Sequence, residues 1–303
     1  MFGGSIVALV APMHVSGEID FDSFRQLILW HISAGTQGIV VNGTTGESAS
    51  LTPAEKIDLL TVAVKTADSK VPILAGTGTS STAATIQETR AAASCGVDAC
   101  LVVTPYYNRP TQEGLYQHYK AVADSTELPV FTYNVPRRTG CDLQPATMAR
   151  LAEVKNIVGI KEATGDLLRI AALKALVGDR FILLSGDDAT ALEFIRKGGQ
   201  GVISVTANVA PEMMQQMCVA VLQGDYDTAH KINSELALLH AALMAESNPI
   251  PTKWALHNLG KIEAGLRLPL TELSQPLHSM VAAALKQIDR PAIEVISTIG
   301  AAG

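Results

Sequence analysis

The sequence predicts a closed parallel (β/α)8 barrel, a TIM barrel, followed by a C-terminal helical appendage. Eight short apolar, β-branched runs recur along the chain, and a longer segment with helical periodicity follows each of them. Eight βα units make one large domain, which suits a chain of 303 residues. The open doubly wound sheet is the rival, and it would favour a glycine-rich dinucleotide loop after the first strand. Ala11-Pro12-Met13-His14 stands there instead, and Gly76-Thr77-Gly78 lacks the third glycine of that fingerprint.

The predicted strands cover 5–10, 38–42, 72–75, 99–103, 130–134, 158–161, 181–185 and 202–205. After the first, Phe24, Leu27, Ile28 and His31 share one helical face; Asp22 is the expected N-cap and Gly35 the stop. After the second, Ile57, Leu60, Thr61 and Val64 repeat in the same way. That helix opens on Thr52-Pro53-Ala54-Glu55, a capping box with proline in the first turn. The third helix stops at Gly96, and the fourth starts at Thr111 with Gly114 near it. Gly178 and Gly198 end later helical runs. Beyond the eighth strand lie helical segments at 211–222, 226–244, 251–259 and 271–288, interrupted at Ser247-Asn248-Pro249-Ile250-Pro251. One of them is the eighth barrel helix. The expected division is a barrel over 1–224 and a helical region over 225–303, packed on the barrel or on a neighbouring subunit. The tail 297–303 reads as frayed and expendable.

Composition narrows the function. Apolar residues form 48% of the chain and charged residues 17%, enough for a large core and too apolar for disorder. A net charge of −6 leaves no basic surplus for phosphates, so nucleic acid and anionic membrane are not expected as partners. No apolar stretch reaches spanning length, and no basic segment precedes the first apolar run as in a signal peptide. The four cysteines, Cys95, Cys100, Cys141 and Cys218, show no CxxC spacing and read as reduced thiols of a cytoplasmic protein. The seven histidines form no HExxH-like cluster, so no zinc site is expected.

Chemistry in such a barrel sits where the strands end. The ends carry Gly43-Thr44-Thr45-Gly46-Glu47 after the second strand and Thr104-Pro105-Tyr106-Tyr107-Asn108 after the fourth. The fifth ends in Tyr133-Asn134 before Val135-Pro136-Arg137-Arg138-Thr139-Gly140, the sixth in Lys161, the seventh in Ser185-Gly186-Asp187-Asp188 and the eighth in Ile203-Ser204. Lys161 is the central expectation. An ammonium at the end of a core strand is costly unless paired or neutralised, and a neutral amine can attack a ketone to form a Schiff base. Snorkelling to the surface is its ordinary alternative. The whole set, one lysine, two or three phenols, paired hydroxyls and an arginine, suits a carbonyl substrate bearing carboxylates. The glycines around Thr44 and Thr45 let backbone N–H groups approach a carboxylate, and Arg138 can grip a second one bidentately. Each member also has a plainer reading: turn threonines, packing tyrosines, a solvated arginine pair, and Asp187 and Asp188 as caps of the next helix, the role favoured for them. Glu47 is expected to orient its loop.

On three motifs, Gly43-Thr44-Thr45-Gly46-Glu47, 133–140 and Gly159-Ile160-Lys161-Glu162-Ala163, the chain resembles the dihydrodipicolinate synthases, also called 4-hydroxy-tetrahydrodipicolinate synthases. They are pyruvate-dependent class I aldolases of the N-acetylneuraminate lyase superfamily. The resemblance covers about 2–288. It implies that Lys161 forms the Schiff base with pyruvate and Tyr133 shuttles protons. Thr44 and Tyr107 would relay them, with Tyr107 reaching in from the adjacent subunit of a tight dimer. Thr45 would bind the pyruvate carboxylate and Arg138 that of aspartate semialdehyde, while Gly186 and the Ile203 carbonyl surround the lysine. The implied reaction is the first committed step of lysine and diaminopimelate biosynthesis, carried out without metal or organic cofactor by a homotetramer built from two dimers.

Two alternatives accompany that reading. A sialic acid (N-acetylneuraminate) or 2-keto-3-deoxy-sugar aldolase would share Lys161 and Tyr133, but a polyol tail does not call for Arg138. A barrel that binds a keto acid without turnover would not need Lys161, Tyr133, Thr44 and Tyr107 together. One departure from the family pattern concerns its lysine-binding interface pocket. Ser48, Ala49 and Tyr106 fit it, whereas Pro53, Lys56, Ser80 and Ala84 do not. Feedback inhibition by lysine is therefore expected to be weak or absent.

Overall fold

The computed structural model describes residues 2–288. β1 (Gly4–Ala8) leads to α1 (Phe21–Ser33), β2 (Gly38–Val41) to α2 (Pro53–Ala67), β3 (Ile73–Gly76) to α3 (Thr82–Ser94) and β4 (Ala99–Val103) to α4 (Gln112–Ala123). β5 (Val130–Asn134) passes through a single turn, α5 (Pro136–Thr139), into α6 (Pro145–Leu151). β6 (Ile157–Glu162) leads to α7 (Leu168–Val177), β7 (Ile182–Ser185) to α8 (Ala191–Arg196) and β8 (Gly201–Ser204) to α9 (Pro211–Gln223). Then come α10 (Tyr226–Ala242), α11 (Ile250–Asn258) and α12 (Gln275–Ile288). All strand pairs are parallel, and β1 pairs with both β2 and β8, closing the barrel. The expected fold is the observed one, and every predicted strand lies within two residues of its place. The tail expectation for 297–303 falls outside the described residues.

The strands are apolar on both sides because both sides are covered. Ile6, Ala8, Val40, Leu74, Leu101, Phe131, Leu184 and Ile203 fill the inside. Val7, Ile39, Val41, Ile73, Val102 and Ile160 face the helices. Gly159 makes room for the interior layer: a Cβ there would lie 2.5 Å from the Phe131 ring and 2.6 Å from the Ile182 carbonyl oxygen.

Capping was mostly legible. Thr52 and Glu55 form the reciprocal capping box of α2, and Thr111 accepts from the Gly114 amide. The first cap is a correction. Asp20, not Asp22, accepts from the amides of Asp22 and Ser23, because the chain turns into α1 two residues earlier than the apolar periodicity suggests. The C-terminal helices also differ in extent: α10 ends at Ala242 and α12 begins at Gln275. The eighth barrel helix is α9, against which α10 packs, and α10 in turn packs on α12.

Candidate active site

A cavity of about 630 Å³ opens where the strands end. Lys161 reaches it from β6 and Tyr133 from β5, and the strand register sets these two residues side by side. The Lys161 Nζ lies 4.3 Å from the centre of the Tyr133 ring. Only 6% of Lys161 is exposed, so it does not snorkel. Burial pushes its ammonium down to about 8; Asp188 partly opposes that shift, and the Arg138 charge adds to it.

The next residue explains why β6 ends so firmly. Glu162 points to the other side of the strand, is buried, and accepts from Asn134 Nδ2, the Thr164 amide and Arg169 Nε. Arg169 also pairs with Asp142 at 2.9 Å. These bonds fix the strand end from which Lys161 projects. Gly186 is required by Lys161 itself: a Cβ there would lie 2.9 Å from Lys161 Cε and 2.6 Å from Ala163 Cβ. Glycine at this place lets the aliphatic stem cross the end of β7.

Burial raises the Tyr133 phenol above its usual range, and Arg138 and the Thr44 hydroxyl oppose the shift. Thr44 and Tyr133 are neighbours, without a hydrogen bond of ordinary length between them. The Thr44-Thr45 loop turns back on itself: the amides of Gly46 and Glu47 bond to the carbonyls of Gly43 and Thr44. Among the described residues the Thr44 and Thr45 amides donate to no backbone oxygen, which leaves them available to an anion. Arg137 and Arg138, both exposed, line the cavity rim, and Arg138 Nη2 donates to the Asn248 carbonyl at 3.2 Å.

Six of the eight expected site residues therefore line one cavity: Lys161, Tyr133, Thr44, Thr45, Arg138 and Gly186. Two do not. Tyr107 is 94% exposed, has a φ of 74°, and lies outside the cavity of its own chain. Ile203 packs within the barrel interior from β8 and is not part of the cavity lining. The expected two or three phenols reduce to one, because Tyr106 also stays outside. Asp188 is a second correction. It does not cap α8; its Oδ2 accepts from the amides of Val205 and Thr206 at 2.9 Å, and it lines the cavity. Asp187 does not cap α8 either: it accepts from the amide and hydroxyl of Thr190, in the turn just before the helix.

The site also draws on residues that strand-end reasoning did not single out. Asn248 lines the cavity and donates from Nδ2 to Thr45 Oγ1 at 2.9 Å. Lys253, on α11, is 1% exposed and pairs with the equally buried Glu47. Glu47 thus anchors its loop, as expected, and its φ of 54° marks the sharp turn it makes. Cys141 donates to the Pro105 carbonyl at 3.2 Å and ties the loop after β4 to that after β5. No group of His, Cys, Asp and Glu capable of holding a metal occurs among the described residues.

A family model, "Dihydrodipicolinate synthetase family", matches residues 1–288. The 4-hydroxy-tetrahydrodipicolinate synthase of Methylococcus capsulatus is 54% identical over 287 residues, covering 95% of this chain and 99% of that protein. The enzyme of the same name from Buchnera aphidicola subsp. Schizaphis graminum is 53% identical, covering 94% of this chain and 98% of its own. Among solved structures, the chloride-inhibited dihydrodipicolinate synthase from Acinetobacter baumannii, complexed with pyruvate, superimposes with a TM-score of 0.93 at 49% identity, covering 95% of this chain and 99% of that one. Barrel, motifs and relatives agree: the chain belongs to the dihydrodipicolinate synthase family.

Proposed function

We propose that the chain condenses pyruvate with L-aspartate 4-semialdehyde to give 4-hydroxy-tetrahydrodipicolinate, the step that commits carbon to lysine and diaminopimelate. The observation that carries this reading is the buried Lys161 amine, its ammonium weakened by burial, beside Tyr133 and Thr44 in a cavity rimmed by Arg138. The amine attacks the ketone carbon of pyruvate, and the carbonyl oxygen leaves as water after taking up two protons. Loss of a methyl proton from the resulting iminium gives an enamine, whose carbon bonds to the aldehyde while the aldehyde oxygen gains a proton. The substrate amine then attacks the iminium carbon, closes the ring and releases Lys161. Tyr133 is the proton carrier nearest the amine. The Thr45 hydroxyl and the free amides of its loop suit the pyruvate carboxylate. Arg138 suits the carboxylate of the second substrate, which favours a short acidic aldehyde over a polyol.

Tyr107 completes this reading from a second copy of the chain. Its exposure and left-handed backbone at the tip of the loop after β4 suit a side chain presented outward. A tight dimer, doubled to a tetramer, is accordingly part of the proposal. One solved relative, 40% identical with a TM-score of 0.92, is described as a monomeric variant, so assembly is not uniform among such proteins. Turnover with pyruvate and aspartate semialdehyde, run beside a panel of sialic and 2-keto-3-deoxy-sugar acids, tests the assignment. Preference for a sugar acid would overturn it.

Lysine is expected to inhibit weakly or not at all. Lys56 is a cation already paired with Glu88 at 3.0 Å, and Ala84 offers no carboxylate to a ligand ammonium. Half-maximal inhibition at submillimolar lysine would contradict this expectation.

A further inference from the structure

The two carboxylate grips of the site, Thr45 and Arg138, meet on one residue of the segment between α10 and α11. Asn248 is 6% exposed and bonds to both: its side-chain Nδ2 donates to Thr45 Oγ1 at 2.9 Å, and its carbonyl accepts from Arg138 Nη2 at 3.2 Å. Its amide is held in turn, because the buried Thr252 hydroxyl donates to Asn248 Oδ1 at 3.2 Å. We propose that Asn248 is a positioning residue that orients the Thr45 hydroxyl proton toward the pyruvate carboxylate and sets the spacing between the two carboxylate subsites. The proposal rests on the pyruvate-condensing reading above.

The direction of one O–H bond decides how the carboxylate is met. A threonine hydroxyl has one proton to give and two lone pairs to receive with. Thr45 is 2% exposed, so water does not settle which way its proton points. Asn248 Nδ2 occupies one lone pair and is itself a donor, so the Thr45 proton cannot be spent on it. That proton faces the cavity, where an anion binds. The amide cannot usefully flip, since its oxygen is engaged by Thr252 and a flipped Oδ1 would take the Thr45 proton. Three groups in series, Thr252, Asn248 and Thr45, therefore donate in one direction, toward the cavity. Chains of hydrogen bonds aligned in this way polarise one another.

The strongest test is the near-isosteric Asn248→Asp. An aspartate accepts where asparagine donates, draws the Thr45 proton away from the cavity and adds a negative charge beside the carboxylate site. The pyruvate concentration for half-maximal borohydride trapping, and the KM for pyruvate, are expected to rise roughly tenfold or more, with a smaller change in kcat. Asn248→Ala, which frees the hydroxyl without reversing it, is expected to raise both about threefold. In a Thr45→Val background the additional effect of Asn248→Asp is expected to be largely lost, because the group it acts through is gone.

An unchanged pyruvate dependence in Asn248→Asp overturns the proposal. So does a full effect persisting in Thr45→Val, or a loss confined to kcat. Should Asn248→Asp fail to fold by thermal melting, Thr252→Val carries the test: releasing the amide is expected to weaken pyruvate trapping in the same direction, and an unaltered half-saturation overturns the idea. These failures differ from failure of the underlying reading, in which the unsubstituted protein itself would trap no pyruvate.

Discussion

Replacing Lys161 with alanine is expected to abolish both turnover and borohydride-stable labelling by pyruvate. In the unsubstituted protein, reduction in the presence of pyruvate should leave one adduct, on the peptide containing Lys161. Loss of a covalent nucleophile typically costs on the order of 10⁴-fold or more in kcat, since no other group supplies the electron sink. The pH dependence follows from the same residue. Its ammonium is lowered to about 8 by burial, so the free amine, the reactive form, is the minority species at pH 7. The value of kcat/KM for pyruvate should rise about tenfold per pH unit on the acid side and level off above pH 8. The sign can be checked with Asp188, whose charge favours the ammonium. Asp188→Asn keeps an oxygen for the Val205 and Thr206 amides but removes the charge, so the acid limb should move to lower pH. An adduct on another lysine, or turnover surviving in Lys161→Ala, would defeat the mechanism.

What the sequence revealed and what it hid divide along a physical line. That Lys161, Tyr133, Thr44, Thr45, Arg138 and Gly186 gather at one cavity was legible because a barrel delivers the ends of its strands to one face, and those ends can be read from local patterns. Tyr107 follows the same rule but lies outside its own chain's cavity, on a loop with left-handed residues at Tyr107 and Arg109; the family resemblance, not a local pattern, pointed it at a neighbouring subunit. Asp188 was misread for the opposite reason. A capping rule looks three or four residues ahead, whereas its carboxylate reaches the amides of Val205 and Thr206, across to the end of the next strand. Asn248 and Lys253 stayed hidden because their partners, Thr45 and Glu47, lie 203 and 206 positions away. The one local clue to Lys253 is a lysine among Ile250, Pro251, Ala255 and Leu256, all buried.

That hidden pair supports the second large expectation, a loss of stability rather than chemistry. Lys253→Met should lower the unfolding free energy by about 3–5 kcal/mol, as for other buried pairs deprived of one partner. For a protein of this size that corresponds to a fall of about 10 °C in thermal midpoint. Methionine nearly matches the volume, so the effect is electrostatic: Glu47, 4% exposed, keeps only the Arg267 amide at 3.2 Å. The double variant Lys253→Met, Glu47→Gln removes the stranded charge and should recover most of the loss. A simple packing role predicts no such recovery, so the two variants, compared by thermal denaturation, separate the explanations. The pair also holds the turn that carries Thr44 and Thr45, and its partner comes from α11. The single variant should therefore bind pyruvate more weakly even where it remains folded. In this protein the helical region after the barrel is a structural part of the cavity, because the loop that carries Thr44 and Thr45 is fixed from outside the barrel by one buried charge and one buried amide.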